Sequence, residues 1–246
     1  MHNINGLKKV LFAGIATVIL SGGAMAADAG GWGGSPTPPA DEAASPWDVA
    51  FGVTVTNDYV SRGISQTSGG AAVQPWAELT VGMFYLGYWG SNVDSGFTGG
   101  NWEHDLSIGV RPEFGPVSLD IGYVRYIYDT GDCCGEVYVK GEVSPVDPLT
   151  LGAHFFYSPD FQTTYTEVNA SVGLMEHLSA SAAVGFIGNS SADYTTWNAG
   201  LTWNPVEPLE IDVRYHWAPS SVANGVQKVV VSASVSSSLR SLGVIR

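Results

Sequence analysis

The sequence predicts an all-β chain, closed as an antiparallel up-and-down transmembrane β-barrel of about twelve strands with short periplasmic turns and longer extracellular loops. Three observations predict it. Apolar and polar residues alternate with period two in one segment after another, and tight turns alternate with longer connections along the chain. Charge is also scarce, since Asp, Glu, Lys and Arg make up 13% of the 246 residues while Phe, Trp and Tyr make up 11%. A soluble domain stays dispersed through surface charge at roughly twice that density. A chain that turns small polar residues to one side and apolar residues to the other needs few charges if the apolar side meets lipid.

Taken in order, residues 1–26 read as a cleaved signal peptide. Lys8 and Lys9 precede an apolar run over residues 10–20, and Ala24-Met25-Ala26 supplies the small residues of a cleavage site. That run is much shorter than the roughly 20 apolar residues of a spanning helix, and no later stretch is long enough, so any membrane crossing must use strands. Residues 27–46 form a Gly/Pro-rich leader that cannot bury a core and is expected to be flexible. The barrel is expected over residues 47–239, followed by a tail at 240–246.

In the first strand Val49, Phe51, Val53 and Val55 alternate with Asp48, Ala50, Gly52 and Thr54, as in a strand with one apolar and one polar face. The pattern recurs around Leu79, Leu86, Ile108, Leu119, Val139, Leu151 and Val168, and then over residues 178–186, 195–203, 209–217 and 229–239. Tight turns fall at Gly82-Met83 and at 112–116, 145–148, 175–177 and 205–208; longer connections are expected at 61–71, 91–101, 129–135, 158–163, 188–193 and 218–227. Residues 144–149 and 204–209 share a Pro-Val-acid-Pro-Leu pattern, from either hairpin duplication or convergent turn chemistry.

Trp47, Tyr59, Trp102, Tyr123, Tyr157, Trp197, Trp203, Tyr215 and Trp217 fall near strand ends, where rings with one wet edge are expected to form interfacial girdles. Arg125 lies out of phase with its polar neighbours and is expected to snorkel toward lipid phosphates. The adjacent Cys133 and Cys134 cannot build a disulfide framework. A strained ring disulfide and two free thiols both stay open.

Against 23 Asp and Glu stand 10 Lys and Arg, two of which leave with the signal peptide, so nucleic acid is excluded as a partner. Strand phase turns Asp48, Glu78, Glu103, Asp105, Asp120, Glu136, Glu142, Glu167, Glu210 and Asp212 inward, together with Arg111, Lys140, Arg214 and Lys228. Carboxylates confined in a pore favour cations. The alternative is that these groups pair off and fill a narrow interior. His154 and His216 also point inward, but no Gly-x-Ser-x-Gly nucleophile motif occurs, and no enzyme activity, cofactor or metal site is expected.

The run Tyr59-Val60-Ser61-Arg62-Gly63-Ile64-Ser65-Gln66-Thr67, then Pro75, then Tyr85-Leu86-Gly87-Tyr88-Trp89-Gly90-Ser91-Asn92-Val93-Asp94, resembles the TorF-type porins, formerly grouped as a bacterial family of unknown function (Gcw_chp type). The likeness spans nearly the whole barrel, and the first hairpin is its specific part. It implies a Gram-negative outer-membrane location and a channel for passive diffusion of small solutes or ions. Outer-membrane lipid, lipopolysaccharide and the barrel-assembly machinery would be its partners. Tyr59, Arg62, Gly63, Ser65, Gln66 and Thr67 form the family-motif loop. Read from its residues, that loop either folds into the barrel mouth or is fixed locally by Gly63 and an Arg62–Asp58 pair. The function expected is a cation-preferring porin-like channel; the alternative is a plugged structural or adhesin-like barrel. Outer-membrane strands commonly end in an aromatic residue, and Leu239, at the end of the outward row Val229, Val231, Ala233, Val235 and Ser237, is expected in its place.

Overall fold

The computed structural model describes residues 45–189 and 193–245, so the expected signal peptide and nearly all of the Gly/Pro-rich leader lie outside the described residues. Among these residues twelve strands form the barrel: β1 (Trp47–Thr56), β2 (Ala72–Val81), β3 (Phe84–Asn92), β4 (Trp102–Val110), β5 (Val117–Tyr128), β6 (Gly131–Val146), β7 (Leu149–Ser158), β8 (Thr163–Met175), β9 (Leu178–Gly188), β10 (Tyr194–Val206), β11 (Leu209–Trp217) and β12 (Gln227–Ser238). Each strand is antiparallel to its sequence neighbours, and β1 pairs with β12 from Ala50↔Ser238 to Thr56↔Ser232, which closes the sheet. Closure satisfies every ladder and leaves no free edge.

Side chains divide by strand parity. Val53, Ile108, Val139, Val184 and Val231 face outward and are exposed, whereas Glu78, Ser107, Tyr138, Thr202 and Ser232 face inward and are buried. An apolar outer face this continuous is stable only in apolar surroundings. The tight turns gather at one rim, where Asp147–Pro148 and Glu207–Pro208 both adopt cis peptide bonds in the two turns with related sequence.

The other rim differs from expectation in several places. Residues 129–135 are not a loop: β6 begins at Gly131, so only Asp129 and Thr130 separate it from β5. Cys133 is the extra residue of a bulge, because Tyr126 pairs with Cys134 and Ile127 with Asp132. The two cysteines are joined as a vicinal disulfide. Arg125 does not reach for lipid: its guanidinium donates to both Asp132 carboxylate oxygens at 2.7 and 2.6 Å and reaches Asp160 at 3.4 Å. Carboxylates on adjacent hairpins are already within reach, so no lipid phosphate is needed.

Tyr59 is fully buried inside the barrel rather than at a girdle, because the chain turns inward after β1. At the opposite end β12 stops at Ser238. Leu239, the residue after it, donates its N–H to the Val49 carbonyl at 3.0 Å and so carries the pairing with β1 one position further. Arg240 then donates from its backbone to Asp48 at 3.2 Å and from its guanidinium to the Ser45 carbonyl at 2.9 Å, clipping the end of β12 across β1.

Candidate functional site

The connection from β1 to β2 enters the barrel as a small hairpin, with Val60–Ser61 paired to Ile64–Ser65. Its two central residues, Arg62 and Gly63, both have positive φ, 47° and 76°, as a two-residue type I′ turn requires. Glycine is needed at 63 for a second reason: a Cβ there would lie 2.4 Å from Thr196 Oγ1 and 2.7 Å from the Ala218 Cβ. The tip is therefore seated directly on β10 and on the residue that follows β11. Tyr194 donates its hydroxyl to the Arg62 carbonyl at 3.2 Å, and the Val226 and Ser65 N–H groups bond to Gly63 and Asn224 carbonyls.

The base of this loop is held by Asp58, which is completely buried. One carboxylate oxygen accepts from the Ser65 and Thr67 hydroxyls at 2.6 and 2.7 Å, and the other pairs with the Lys228 ammonium at 2.7 Å. The Tyr59 N–H donates to Thr67 Oγ1, and the Tyr59 hydroxyl donates to Glu103 at 3.3 Å. Gln66 donates its backbone N–H to the Tyr59 carbonyl and accepts the Asp94 N–H on its own, joining this loop to the next. All six residues of the expected motif thus take part in one inward-folded element.

The expected Arg62–Asp58 pair is absent. Arg62 instead extends across the lumen to β6, donating to both Glu136 oxygens at 2.8 and 2.7 Å, and lies over the rings of Phe156 (5.1 Å) and Tyr165 (4.5 Å) on β7 and β8. Asp58 is already saturated by two hydroxyls and an ammonium, and a guanidinium has no reason to compete for it when a free carboxylate and two aromatic faces stand opposite.

Below this plug, a second cluster ties β2 to β6. Arg111, immediately after β4, grips Glu78 through two bonds of 2.6 and 2.8 Å and reaches Asp120 at 3.4 Å, with its guanidinium 4.0 Å above the Tyr85 ring. Lys140 lies 3.9 Å from Asp120, and the Tyr85 hydroxyl bonds to both Asp120 and the Tyr138 hydroxyl. A third cluster lies on β9 to β11, where Arg214 bonds to Asp212 (3.2 and 3.0 Å), Asn198 (2.8 Å) and Ser181 (2.7 Å), and Thr202 donates to Asp212 at 2.8 Å. On β7 and β8, Glu167 receives the Tyr165 hydroxyl at 2.6 Å and lies 3.3 Å from His154.

The residues expected inside fall into distinct groups. Glu78, Arg111, Asp120 and Lys140 come together, as do Asp212 and Arg214, while Glu103 and Asp105 lie beside the inward loop. Glu142 on β6 and Glu210 on β11 face inward near the tight-turn rim, half-buried and outside all of these clusters. Sequence reasoning missed the inward aromatics Tyr85, Tyr126, Phe156 and Tyr165. Parity finds them, since Phe156 occupies the inward phase of a strand whose outward phase Leu151 sets, just as the inward Tyr138 alternates with the outward Val139.

Residues 40–236 match the family described as bacterial protein of unknown function (Gcw_chp). No curated protein sequence matches the chain. Among solved structures, a KdgM porin superposes with a TM-score of 0.57 at 8% identity, covering 76% of this chain and 98% of its own. The KdgM porin in complex with disordered oligogalacturonate gives 0.55 at 8% identity, covering 78% and 97%. A NanC porin gives 0.48 at 10% identity, covering 77% and 97%. The KdgM likeness shows a shared barrel fold.

Proposed function

The chain belongs to the Gcw_chp family of bacterial proteins of unknown function, and from its barrel we propose a narrow outer-membrane channel for passive diffusion of small solutes or ions, with a preference for cations. The observation that carries this reading is the asymmetry of the interior. Along β8 to β12 and β1 the inward residues Ser171, Ser181, Asn198, Gly200, Ser234 and Thr54 are small and only half-buried at mid-strand. The facing half is packed with Tyr85, Tyr126, Tyr138 and Phe156, and the Arg62 side chain crosses to it from the inward loop. Space that water reaches thus runs beside one wall.

The apolar outer face supports a bilayer location, with outer-membrane lipid and lipopolysaccharide around it and the barrel-assembly machinery needed to insert it. The expected signal peptide supports export, and the first hairpin keeps its resemblance to the TorF-type porins. Carboxylates exceed cationic groups on the inward face, so a polyanion like the oligogalacturonate bound in the KdgM complex is a poor match, whereas small cations fit. We assign no catalytic step: His154, the inward histidine of β7, lies 3.3 Å from Glu167.

A second reading, the plugged structural or adhesin-like barrel, is favoured by one observation: Glu78, Glu103, Asp212 and Arg214 are each no more than 3% exposed. Recording from the refolded protein in a planar bilayer separates the two. Steady unitary currents with a reversal potential of cationic sign support the channel. Silence from protein that still shows heat-modifiable migration refutes it in favour of the plug.

A further inference from the structure

The inward face of β4 carries Glu103, Asp105 and Ser107 in a row, flanked by Trp89 and Gly87 on β3 and by Tyr126 and Val124 on β5. Glu136 follows on β6, opposite Val124. All three carboxylates are nearly sealed from solvent, with 2% exposure for Glu103 and Asp105 and 7% for Glu136. The one guanidinium in reach, Arg62, is committed to Glu136, which also receives the Tyr126 hydroxyl at 2.9 Å. Glu103 receives the Tyr59 hydroxyl and meets the side chain of Asp105 directly. Asp105 has no cation beside it among the described residues, and its Oδ1 is buried without a hydrogen-bond partner.

A second orphan lies next to it: Ser107 Oγ, in a residue 1% exposed, also lacks a partner. Two positions apart on one face of a strand, these side chains start about 6.6 Å apart, which leaves room for an ion between their oxygens. A buried carboxylate without counter-charge is strongly unfavourable, and a buried hydroxyl without a partner adds to that. One guest relieves both if it is cationic and accepts oxygen ligands. A divalent ion is the wrong guest: among the described residues no three carboxylate, imidazole or thiol groups converge as such a site requires.

We propose that Asp105 and Ser107 bind a monovalent alkali cation, potassium or sodium, behind the Arg62 loop. Asp105 Oδ1 supplies the charge, Ser107 Oγ a neutral oxygen, and hydration water the remaining ligands. Glu103 and Glu136 add attraction without direct coordination. The proposal rests on reading the lumen as a cation path, where this site is a resting position reached once the ion has shed part of its hydration shell.

The test is thermal unfolding of the refolded protein in detergent, with enough urea to bring the transition into range, in potassium chloride and in N-methyl-D-glucamine chloride of equal ionic strength. The organic cation is too large to enter. Binding to the folded state alone raises the midpoint in potassium by at least about 2 °C at saturation, with a saturable dependence on potassium. Asp105→Asn, which keeps the shape, abolishes the difference, and Ser107→Ala reduces it and serves alone if Asp105→Asn does not fold. Asp94→Asn on the outer rim leaves it intact. In crystals grown with thallium(I), anomalous density lies between Asp105 and Ser107. Equal midpoints in the two salts, a potassium effect that survives both lumen variants, or thallium absent from this position would each overturn the proposal, leaving water or a shared proton to fill the gap. None of these readouts needs current to flow. A conducting barrel without potassium stabilisation overturns the ion site alone, and a silent barrel that potassium stabilises overturns the channel alone.

Discussion

Replacing Arg62 by alanine is the most direct perturbation of the inward loop, and its size follows from the contacts removed. The guanidinium forms a two-bond pair with Glu136 in which the side chains are 16% and 9% exposed. Removing one member of a buried pair costs about 3–5 kcal/mol, and water reaching this one from the lumen puts it near the lower end. Loss of the contacts over Phe156 and Tyr165 adds about 0.5–1 kcal/mol each. A total of about 4 kcal/mol shifts the ratio of docked to released loop tip by nearly three powers of ten. The clip at Asp58 is untouched, so the tip is freed while the base stays anchored. The barrel itself is closed by backbone ladders that the change does not reach. Planar-bilayer recordings of Arg62→Ala should show larger unitary conductance with more open-state noise, and heat-modifiable migration should persist. Arg62→Lys should fall between, since an ammonium keeps the charge and loses the fork and the stacking. Adding Glu136→Gln to Arg62→Ala should recover stability by removing the stranded carboxylate. Conductance and noise identical to the unmodified protein, from a folded Arg62→Ala barrel, would refute the idea that this loop narrows the lumen.

Arg at Val53, Leu119 or Val231 on the outer face should cost about 2–4 kcal/mol near the bilayer midplane in lipid-refolding titrations. At Thr54, which bonds to Ser234 at 2.8 Å inside the barrel, the same change should be mild for insertion and should reduce conductance; equal costs on both faces would show the strand phase to be wrong. Glu142→Gln combined with Glu210→Gln should move the reversal potential in a salt gradient toward zero, more at low salt because screening shortens each charge's reach to about 10 Å at 0.1 M. Neutralising Asp212 leaves the Arg214 guanidinium uncompensated and should move the potential in the same direction; a reversal potential indifferent to the Glu142 and Glu210 changes would remove these carboxylates from the ion path. Denaturing alkylation without reductant should leave Cys133 and Cys134 unlabelled, and labelling after reductant should add two groups; ready labelling without reductant would contradict the vicinal disulfide.

The strands and the tight-turn rim were legible in the sequence because both depend on near neighbours. Parity is a property of consecutive residues: Val53 beside Thr54, or Leu151 beside Gly152, states which side is apolar wherever the strand ends up. Pro and Gly likewise mark turns through the backbone angles they impose locally. The same parity placed Glu78, Glu103, Asp105, Asp120, Lys140, Asp212 and Arg214 on one face without any knowledge of the barrel. Where local signals conflicted, the reading slipped. Gly131 and the cysteine pair looked like a loop, yet β6 extends through them, held by the ladder to β5 and by the Arg125–Asp132 pair.

What only the tertiary structure decided is which inward groups meet. Arg62 and Glu136 are 74 positions apart and sit on elements that share no ladder. The sequence around Arg62 offered a nearer carboxylate, Asp58, and only the fold showed that Ser65, Thr67 and Lys228 had taken it. Tyr59 carried the signature of an interfacial ring, yet the path of the loop put it inside. Period two states that a side chain points inward; it contains nothing about the distance across the lumen or the direction a loop takes on leaving its strand. Those follow from closing twelve strands on one another and from the competition among hydroxyls, ammonium, carboxylates and aromatic faces that closure brings within reach.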